Sequence, residues 1–170
     1  RQLEACTLGE ELGVEGAVHD ELYAAMDWLG ERQPAIEQRL ARRHLKESEL
    51  ALYDVSSSYF EGRSCSLARF GYDHGNGKRG RMQVEYGLLC DSDGRPVAIE
   101  AFEGNVKDDK TLPSHVKKLE QRFGLTRVIV VTDRGIGTKD NVTLISDTAE
   151  FAFITALKAP QVRKLVKDGC

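Results

Sequence analysis

Apolar side chains recur at steps of three, four and seven residues in the first part of the chain, which is the spacing of one face of a helix. They are Leu22, Met26, Leu29, Ile36 and Leu40. Asp20 can cap this helix and Gly30 can end it. Pro34 then suits the first turn of a second helix that runs to about His44. The sequence therefore predicts a helical N-terminal segment over residues 1–48.

After this segment the apolar residues gather in runs of strand length. Strands are predicted over 50–57, 82–90 and 96–102, where aliphatic residues are dense. The turn sequence DSDG at 91–94 separates the last two strands and is a hairpin signal. We therefore expect these two strands to be antiparallel.

The rest of the chain alternates helices and strands. The run 127–132 is continuously apolar, which implies burial on both faces and hence a central parallel position. The other predicted elements are a helix over 111–123, a helix over 138–147, a second buried strand over 151–157 and a last helix that opens at Pro160. Three antiparallel strands that lead into parallel strands flanked by helices form the RNase H-like pattern. We predict this mixed α/β sheet for residues 49–170, although periodicity alone also fits several other α/β folds.

The composition is that of a globular protein, with 41% hydrophobic and 30% charged residues in a chain of 170. No apolar run approaches the roughly 18 residues of a membrane span. The cysteines Cys6, Cys65, Cys90 and Cys170 stand far apart without a CxxC pair, so we expect reduced thiols of a cytoplasmic protein. Because the chain starts without Met or a signal peptide, we expect a piece of a longer protein.

Charge is unevenly distributed along the chain. The net charge of −3 gives no general reason to expect a polyanionic partner. Acidic residues outnumber basic ones over 1–48, whereas basic residues are in excess over 61–82 and over 155–170. The sequence thus predicts two local basic patches on an otherwise acidic molecule.

Two aspartates stand at positions that call for an explanation. Asp54 lies inside the first strand, where Asp is disfavoured. Asp133 follows the strand 127–132, and open α/β sheets place their chemistry at the carboxyl ends of parallel strands. If these strands are neighbours, the two carboxylates lie about one interstrand spacing apart, roughly 4.8 Å.

Two carboxylates at this separation repel each other. At about 4 Å and an effective dielectric constant near 20, the repulsion is roughly 4 kcal/mol, so either one proton is retained or a divalent cation is bound. Oxygen ligands with open coordination positions suit Mg²⁺ or Mn²⁺ rather than zinc. The ordinary alternative is that each Asp caps a turn or a strand end, and N-capping of helix 111–123 also explains Asn105, Asp108 and Asp109.

Five short motifs follow one another along the chain. They are LYDVSSSYFEG at 52–62, QVEYGLL at 83–89, GRPVA at 94–98, EGN at 103–105 and VVTDRG at 130–135. Together they resemble bacterial insertion-sequence transposases of the DDE superfamily, in the branch with a downstream Tyr-Arg-Glu-Lys signature. The resemblance runs from about Asp20 to Lys167. It implies an RNase H-like catalytic domain in which three acidic residues hold two divalent metal ions, cut DNA and join a 3′-hydroxyl to target DNA.

The resemblance also implies roles for individual residues and partners. Asp54 corresponds to the first acid and Asp133 to the second, and both would hold Mg²⁺ or Mn²⁺. The third acid, a Glu in the Tyr-Arg-Glu-Lys region, is expected beyond Cys170. The expected partner is DNA, both transposon ends and target, with a homodimer as an option and no membrane. The expected location is the bacterial cytoplasm, in association with the nucleoid.

Basic residues near these aspartates are candidates for DNA contacts. The loop 70–81 is rich in glycine but lacks P-loop spacing, and its Lys78, Arg79 and Arg81 could contact phosphates or belong to a solvated loop. Arg134 is better placed, beside Asp133, where it could hold a phosphate or pair with a carboxylate. A second candidate DNA face, which an ordinary basic helix end also explains, consists of Lys158, Arg163, Lys164 and Lys167.

Two other functions are compatible with parts of the sequence. A haloacid-dehalogenase-type phosphatase also begins from an Asp at a strand end, but it needs a second Asp two residues on, where this chain has Ser56. A non-catalytic DNA-binding or dimerisation module, with the helices over 20–45 as its interface, is the alternative from a different class. Metal titration separates this module from the enzyme.

Overall fold

The computed structural model describes residues 7–46, 49–71, 81–148 and 150–167. The chain divides into two compact units, residues 1–36 and residues 37–170. The domain boundary expected between residues 48 and 49 stays a prediction.

The first unit is helical in its described part. Helix α1 spans Leu8–Leu12. Helix α2 spans His19–His44 and continues into the second unit. The predicted break between Gly30 and Pro34 is wrong, because α2 runs through both residues. Pro34 costs the helix one hydrogen bond, to the carbonyl of Gly30, but both residues are exposed and water can satisfy that carbonyl.

The second unit is built on one mixed sheet. Its strands are β1 Leu50–Tyr59, β2 Arg69–Phe70, β3 Met82–Cys90, β4 Pro96–Glu103, β5 Ile129–Thr132 and β6 Ala152–Thr155. The strand β3 pairs antiparallel with β1, with β4 and, at its start, with β2. The strand β5 lies between β1 and β6 and is parallel to both. The order β4-β3-β1-β5-β6 confirms the predicted RNase H-like mixed sheet.

The helices of this unit follow β4, β5 and β6. They are α3 Leu112–Lys117, α4 Lys139–Ser146 and α5 Ala159–Lys167. The predicted single helix over 111–123 is divided, with a 3₁₀ turn Asp108–Lys110 before α3 and a π-helical turn Lys118–Arg122 after it. Among the described helices, none combines the length and apolar composition that crossing a membrane requires.

One face of the sheet is packed and the other is open. Ala51 and Tyr53 of β1 point into the core, and Tyr53 contacts His115 of α3 with a ring-centroid distance of 4.5 Å. The buried apolar residues that α2, α3, α4 and their flanking turns add to this core are Ala41, Leu45, Leu112, Val116, Leu119, Ile136 and Ile145.

Alternate residues of the strands face solvent on the open side. Leu88 of β3, Ile99 of β4 and Ile154 of β6 are 36%, 46% and 51% exposed. The expectation that 151–157 is a buried strand is therefore wrong, because β6 has Ala152 and Ile154 exposed. Asp54 is exposed on the same side of β1, opposite Leu88 in the register.

The hairpin between β3 and β4 is confirmed. Gly94 adopts a left-handed conformation with φ of 80°, which favours glycine. The carboxylate of Asp91 accepts hydrogen bonds from the backbone of Arg95 and Asp93 at 2.8 and 3.0 Å. Burial alone raises the pKa of Asp91, but the hydrogen bonds from Arg95 and Asp93 outweigh burial and hold this pKa below its usual value.

Candidate active site

Asp54 lies in β1, and Asp133 follows the end of the neighbouring parallel strand β5. The ladder between β1 and β5 ends at the pair Leu52 and Val131, and each aspartate comes two residues later in the chain, Asp54 within β1 and Asp133 directly after the end of β5. Both side chains are exposed, and both line one cavity of about 290 Å³. The fold thus brings the two predicted acids to one site at the carboxyl end of β5.

The turn after β5 orients Asp133. Its Oδ1 accepts hydrogen bonds from the backbone N–H groups of Gly135 and Ile136 at 2.9 and 3.1 Å. Its carbonyl oxygen accepts a hydrogen bond from the hydroxyl of Thr155 on β6 at 2.8 Å. These contacts fix both the backbone and the side chain of Asp133, so the direction of the carboxylate is set before any ligand binds.

Two further carboxylates line the same cavity. Glu85 of β3 is 3% exposed, and its Oε1 accepts a hydrogen bond from Nε2 of Gln83 at 2.6 Å. Asp108 lies in the turn before α3, where Thr111 occupies the N-cap position that the sequence had assigned to the acidic residues. Sequence reasoning missed both as cavity residues. The strand alternation of β3 was a signal for Glu85, because every second residue of β3 shares one face.

A buried hydrogen-bond chain connects β1 to the turn that carries Asp108. The hydroxyl of Tyr53 donates to Oγ1 of Thr111 at 2.7 Å, and Oγ1 of Thr111 donates to the carbonyl of Asp108 at 2.6 Å. Burial raises the pKa of Tyr53, so its hydroxyl stays protonated and remains a donor. Gly87 of β3 makes room for this hydroxyl, since a Cβ there would collide with it. These two hydrogen bonds hold the turn that carries Asp108 next to Tyr53, the residue before Asp54.

The side chains of the cavity that could hold a divalent cation are its carboxylates. Among the residues that the structure describes, no three His, Cys, Asp or Glu side chains converge closely enough to hold a metal ion. Asp54 and Asp133 supply two carboxylates to one cavity, and Mg²⁺ in proteins is commonly held by one or two carboxylates while it keeps several waters.

The predicted basic residues separate into two groups. Arg134 and Lys158 are exposed and line a cavity of about 320 Å³ together with Asp133. Arg81 lies instead directly before β3, with its guanidinium 4.9 Å from the ring centroid of Tyr59 at the far end of β1. Tyr59 is five residues from Asp54, roughly 16 Å along the strand. Lys78 and Arg79 fall outside the described residues.

The two aspartates also border an apolar cavity of about 250 Å³ on the open side of the sheet. Leu52, Leu88, Cys90 and Val131 are among its lining residues. The site is therefore bounded by carboxylates on one side and by an apolar surface on the other.

Comparison with known proteins gives structural similarities only. No protein-family model matches the chain, and no curated protein sequence matches it. The Mos1 transposase paired-end complex with left transposon end matches 98% of this chain and 69% of its own, with 9% identity and a TM-score of 0.42. The Drosophila P element transposase strand transfer complex matches 94% of this chain and 38% of its own, with 18% identity and a TM-score of 0.42.

A third similar structure is a simian T-cell lymphotropic virus intasome in complex with a PP2A regulatory subunit. It matches 73% of this chain, with 10% identity and a TM-score of 0.39, and this chain spans 37% of its length. Transposase complexes are thus among the structures that this chain resembles. The order and pairing of the strands define the fold of the second unit.

Proposed function

We propose that this chain is part of the catalytic domain of a bacterial insertion-sequence transposase of the DDE superfamily. The full-length protein would cut transposon ends and transfer their 3′-hydroxyls to target DNA, and it would act in the cytoplasm at the nucleoid. One observation supports this proposal most: Asp54 and Asp133 each follow the last pair of the ladder between β1 and β5 by two residues, and both line one cavity. The motif resemblance supports it independently.

In this proposal Asp54 and Asp133 hold Mg²⁺ or Mn²⁺. Two such ions would activate the attacking oxygen and stabilise the leaving oxygen of an in-line phosphoryl displacement. Asp133 presents a carboxylate that its own turn orients. Arg134 and Lys158, beside Asp133, would bind DNA phosphates and place the strand against the carboxylates.

The third acid of the proposed site is a Glu in a Tyr-Arg-Glu-Lys context beyond Cys170. We propose that the segment that carries this Glu packs next to Asp54 and Asp133, where it would need an apolar surface. The cavity lined by Leu88, Cys90 and Val131 offers such a surface. Translation of the reading frame beyond Cys170 tests this part of the proposal, and the absence of such a Glu would contradict it.

The test of the proposed activity uses the full-length protein with transposon-end DNA and Mg²⁺ or Mn²⁺. Asp54→Asn and Asp133→Asn keep the side-chain shape but remove the charge that binds metal. We expect each variant to lose several kcal/mol of transition-state stabilisation, a fall in cleavage of about 10³-fold, while DNA binding is kept. Asp147→Asn, an exposed Asp after α4, is the matched control. Retained cleavage in either test variant would show that its aspartate is not catalytic.

The alternative functions are supported less well. A haloacid-dehalogenase-type phosphatase lacks its second Asp, since Ser56 occupies that position. A non-catalytic DNA-binding or dimerisation module has one observation in its favour, the exposed apolar face of α2, and that face is compatible with a catalytic domain as well.

A further inference from the structure

Helix α4 carries a buried amide side chain close to its start. Asn141 is the third residue of α4 and is 2% exposed. Its Nδ2 donates hydrogen bonds to two backbone carbonyls, that of Ile136 at 2.8 Å and that of Asp109 at 2.8 Å. A carboxamide nitrogen carries two N–H groups, so both donors of Asn141 are used. Asn141 therefore joins the turn after β5 to the turn before α3.

The position of Asn141 in its helix directs the amide toward these turns. Thr138 caps α4, and its hydroxyl accepts a hydrogen bond from the backbone N–H of Asn141 at 3.4 Å. Side chains of a helix lean toward its N-terminus, so the amide of Asn141 lies over the turn that precedes α4. Burying an amide is costly unless it is hydrogen-bonded, and an apolar side chain would fill the same space without that cost. The two carbonyls, rather than core packing, explain an amide here.

One hydrogen bond of Asn141 leads directly to Asp133. Ile136 uses both of its backbone groups in this contact: its carbonyl accepts from Asn141, and its N–H donates to Oδ1 of Asp133 at 3.1 Å. The side chain of Ile136 is 1% exposed, so the core holds this residue as well. A shift of Ile136 would therefore change the direction in which the carboxylate of Asp133 points.

The other hydrogen bond of Asn141 ends at Asp109, in the turn before α3. The neighbouring Asp108 is held against β1 through Thr111 and Tyr53, by hydrogen bonds of 2.6 and 2.7 Å. Asn141 thus closes a buried network that runs from β1 through the turn before α3 to the turn after β5. Residues of β1 and of both turns line the cavity that the two aspartates share.

A surface contact also joins α4 to the turn before α3. Nζ of Lys110 lies 3.4 Å from Oδ2 of Asp140, the residue before Asn141. These two side chains are 59% and 78% exposed, and exposed ion pairs contribute little to stability because water and salt screen them. The buried amide, rather than this ion pair, holds the two turns at a fixed separation.

We propose that Asn141 is a positioning residue of the candidate active site, which sets the direction of the Asp133 carboxylate and holds the turn of Asp108 at the cavity. This inference rests on the proposed function, because it concerns the geometry that the aspartates offer to a divalent cation. Replacing residues that orient the ligands of a metal site typically lowers metal affinity by about 10- to 100-fold. Loss of the Asn141 amide should therefore weaken the binding of Mn²⁺ by at least about tenfold.

Mn²⁺ titration of the 170-residue chain, followed by the electron paramagnetic resonance signal of free Mn²⁺, tests this proposal. Asn141→Leu keeps the side-chain volume and removes both donors. Asn141→Ala leaves space in which water can bind the two carbonyls, so it is the milder variant for the fold. Both variants are expected to bind Mn²⁺ at least about tenfold more weakly than the wild type. Asp140→Asn, the matched control, removes the neighbouring surface ion pair and should bind like the wild type.

The size of this effect separates positioning from stability. Circular dichroism and urea unfolding give the folded fraction of each variant. In a variant that is about 90% folded, loss of stability alone raises the apparent dissociation constant for Mn²⁺ by only about 1.1-fold. A tenfold change in a folded variant therefore reports a change in the site itself.

Hydrogen exchange at the amide of Ile136 gives a readout that needs no metal, because this N–H donates to Asp133. Its exchange rate, measured by nuclear magnetic resonance, is expected to rise at least about tenfold in Asn141→Ala. The amide of Val130, which is 0% exposed in β5, exchanges through unfolding of the core. Val130 therefore shows whether the whole sheet has been destabilised instead.

The possible failures are distinguishable. If both Asn141 variants fold and bind Mn²⁺ like the wild type, or if exchange at Ile136 is unchanged, Asn141 does not position the site, and the proposed function is unaffected. If neither variant folds, Asn141 is a determinant of folding, and the proposal is also overturned. If the wild type does not bind Mn²⁺, the metal site of the proposed function and this inference fail together.

Discussion

At the scale of single residues, the two aspartates could be predicted and their neighbours could not. Asp54 stands inside a strand, where Asp is disfavoured, and Asp133 directly follows an apolar strand, where α/β sheets place their functional residues. Each aspartate is therefore recognisable from its immediate sequence. For Glu85 the strand alternation of β3 indicates only a shared face, and Asp108 carries no local signal, because the approach of both residues to the cavity depends on how β3 pairs with β1 and where the turn before α3 lies. A local sequence pattern reveals a residue that is unusual for its own strand or helix. It does not reveal which residues of different elements meet at a cavity.

The buried His115 leads to a prediction for pH dependence. Its side chain is 0% exposed, and burial, with a further contribution from Lys118, lowers its pKa to about 4. The unfolded chain takes up a proton at this histidine near pH 6.5, whereas the folded protein does not until about pH 4. The free energy of unfolding should therefore fall as the pH drops from 6.5 to 4, by up to about 3 kcal/mol.

Urea unfolding of the wild type and of His115→Leu at pH 7 and at pH 4.5 measures this effect. The variant should lose less stability on acidification than the wild type, because it has no proton to take up at this position. His19→Leu, at the exposed start of α2, is the control and should follow the wild type. An equal loss in wild type and His115→Leu would show that other groups cause the acid sensitivity.

At the scale of elements, long periodic or continuously apolar segments were predicted well. The strands β1, β3, β4 and β5 and the helix α4 lie where apolar spacing and turn signals place them. Helix α2 shows the limit of such signals. Gly30 and Pro34 are local breakers, but the helix ends only at His44, after Glu37 and Ala41 are buried in the second unit. Tertiary packing over the last turns outweighs the local cost of the breakers.

The short or distorted elements could not be predicted. Strand β2 has two residues, too few for any periodicity, and it exists because it pairs with the start of β3. The π-helical turn Lys118–Arg122 widens a segment whose apolar spacing still looks helical. Both features depend on contacts with distant parts of the chain.

The basic segment 70–81 leads to a prediction about DNA binding. If Lys78, Arg79 and Arg81 contact phosphates, replacing all three with Ala should weaken binding to any duplex sequence. The slope of log affinity against log salt should then fall by up to roughly 2.7, about 0.9 for each contact. Fluorescence anisotropy at several salt concentrations measures this slope.

The matched comparison is the double replacement of Arg134 and Lys158 with Ala, which removes the two basic residues beside Asp133. Its slope should fall by up to roughly 1.8. Arg127→Ala, an exposed arginine that pairs with Glu150, is the control and should leave the slope unchanged. An unchanged slope in the loop variant, with a reduced slope in the double variant, would assign DNA binding to the side of the site that carries Asp133.

At the scale of the whole molecule, the sheet topology was predictable from the order of elements. The DSDG hairpin requires β3 and β4 to be antiparallel, and a helix between β5 and β6 permits a parallel pair. The division of the chain at residue 36 had no such signal, because it falls inside the continuous helix α2. Hydrophobic periodicity shows which face of a helix is apolar, but it does not show which part of the protein that face contacts.

The central claim is that Asp54 and Asp133 together bind a divalent cation, and Mn²⁺ titration of this chain tests it most directly. The electron paramagnetic resonance signal of free Mn²⁺ should decrease as the wild-type protein is added, which would show weak binding. Asp54→Asn and Asp133→Asn should each remove this binding, and Asp147→Asn should keep it. If the wild type does not bind Mn²⁺, or if Asp54→Asn and Asp133→Asn both still bind it, the two aspartates do not form a shared cation site.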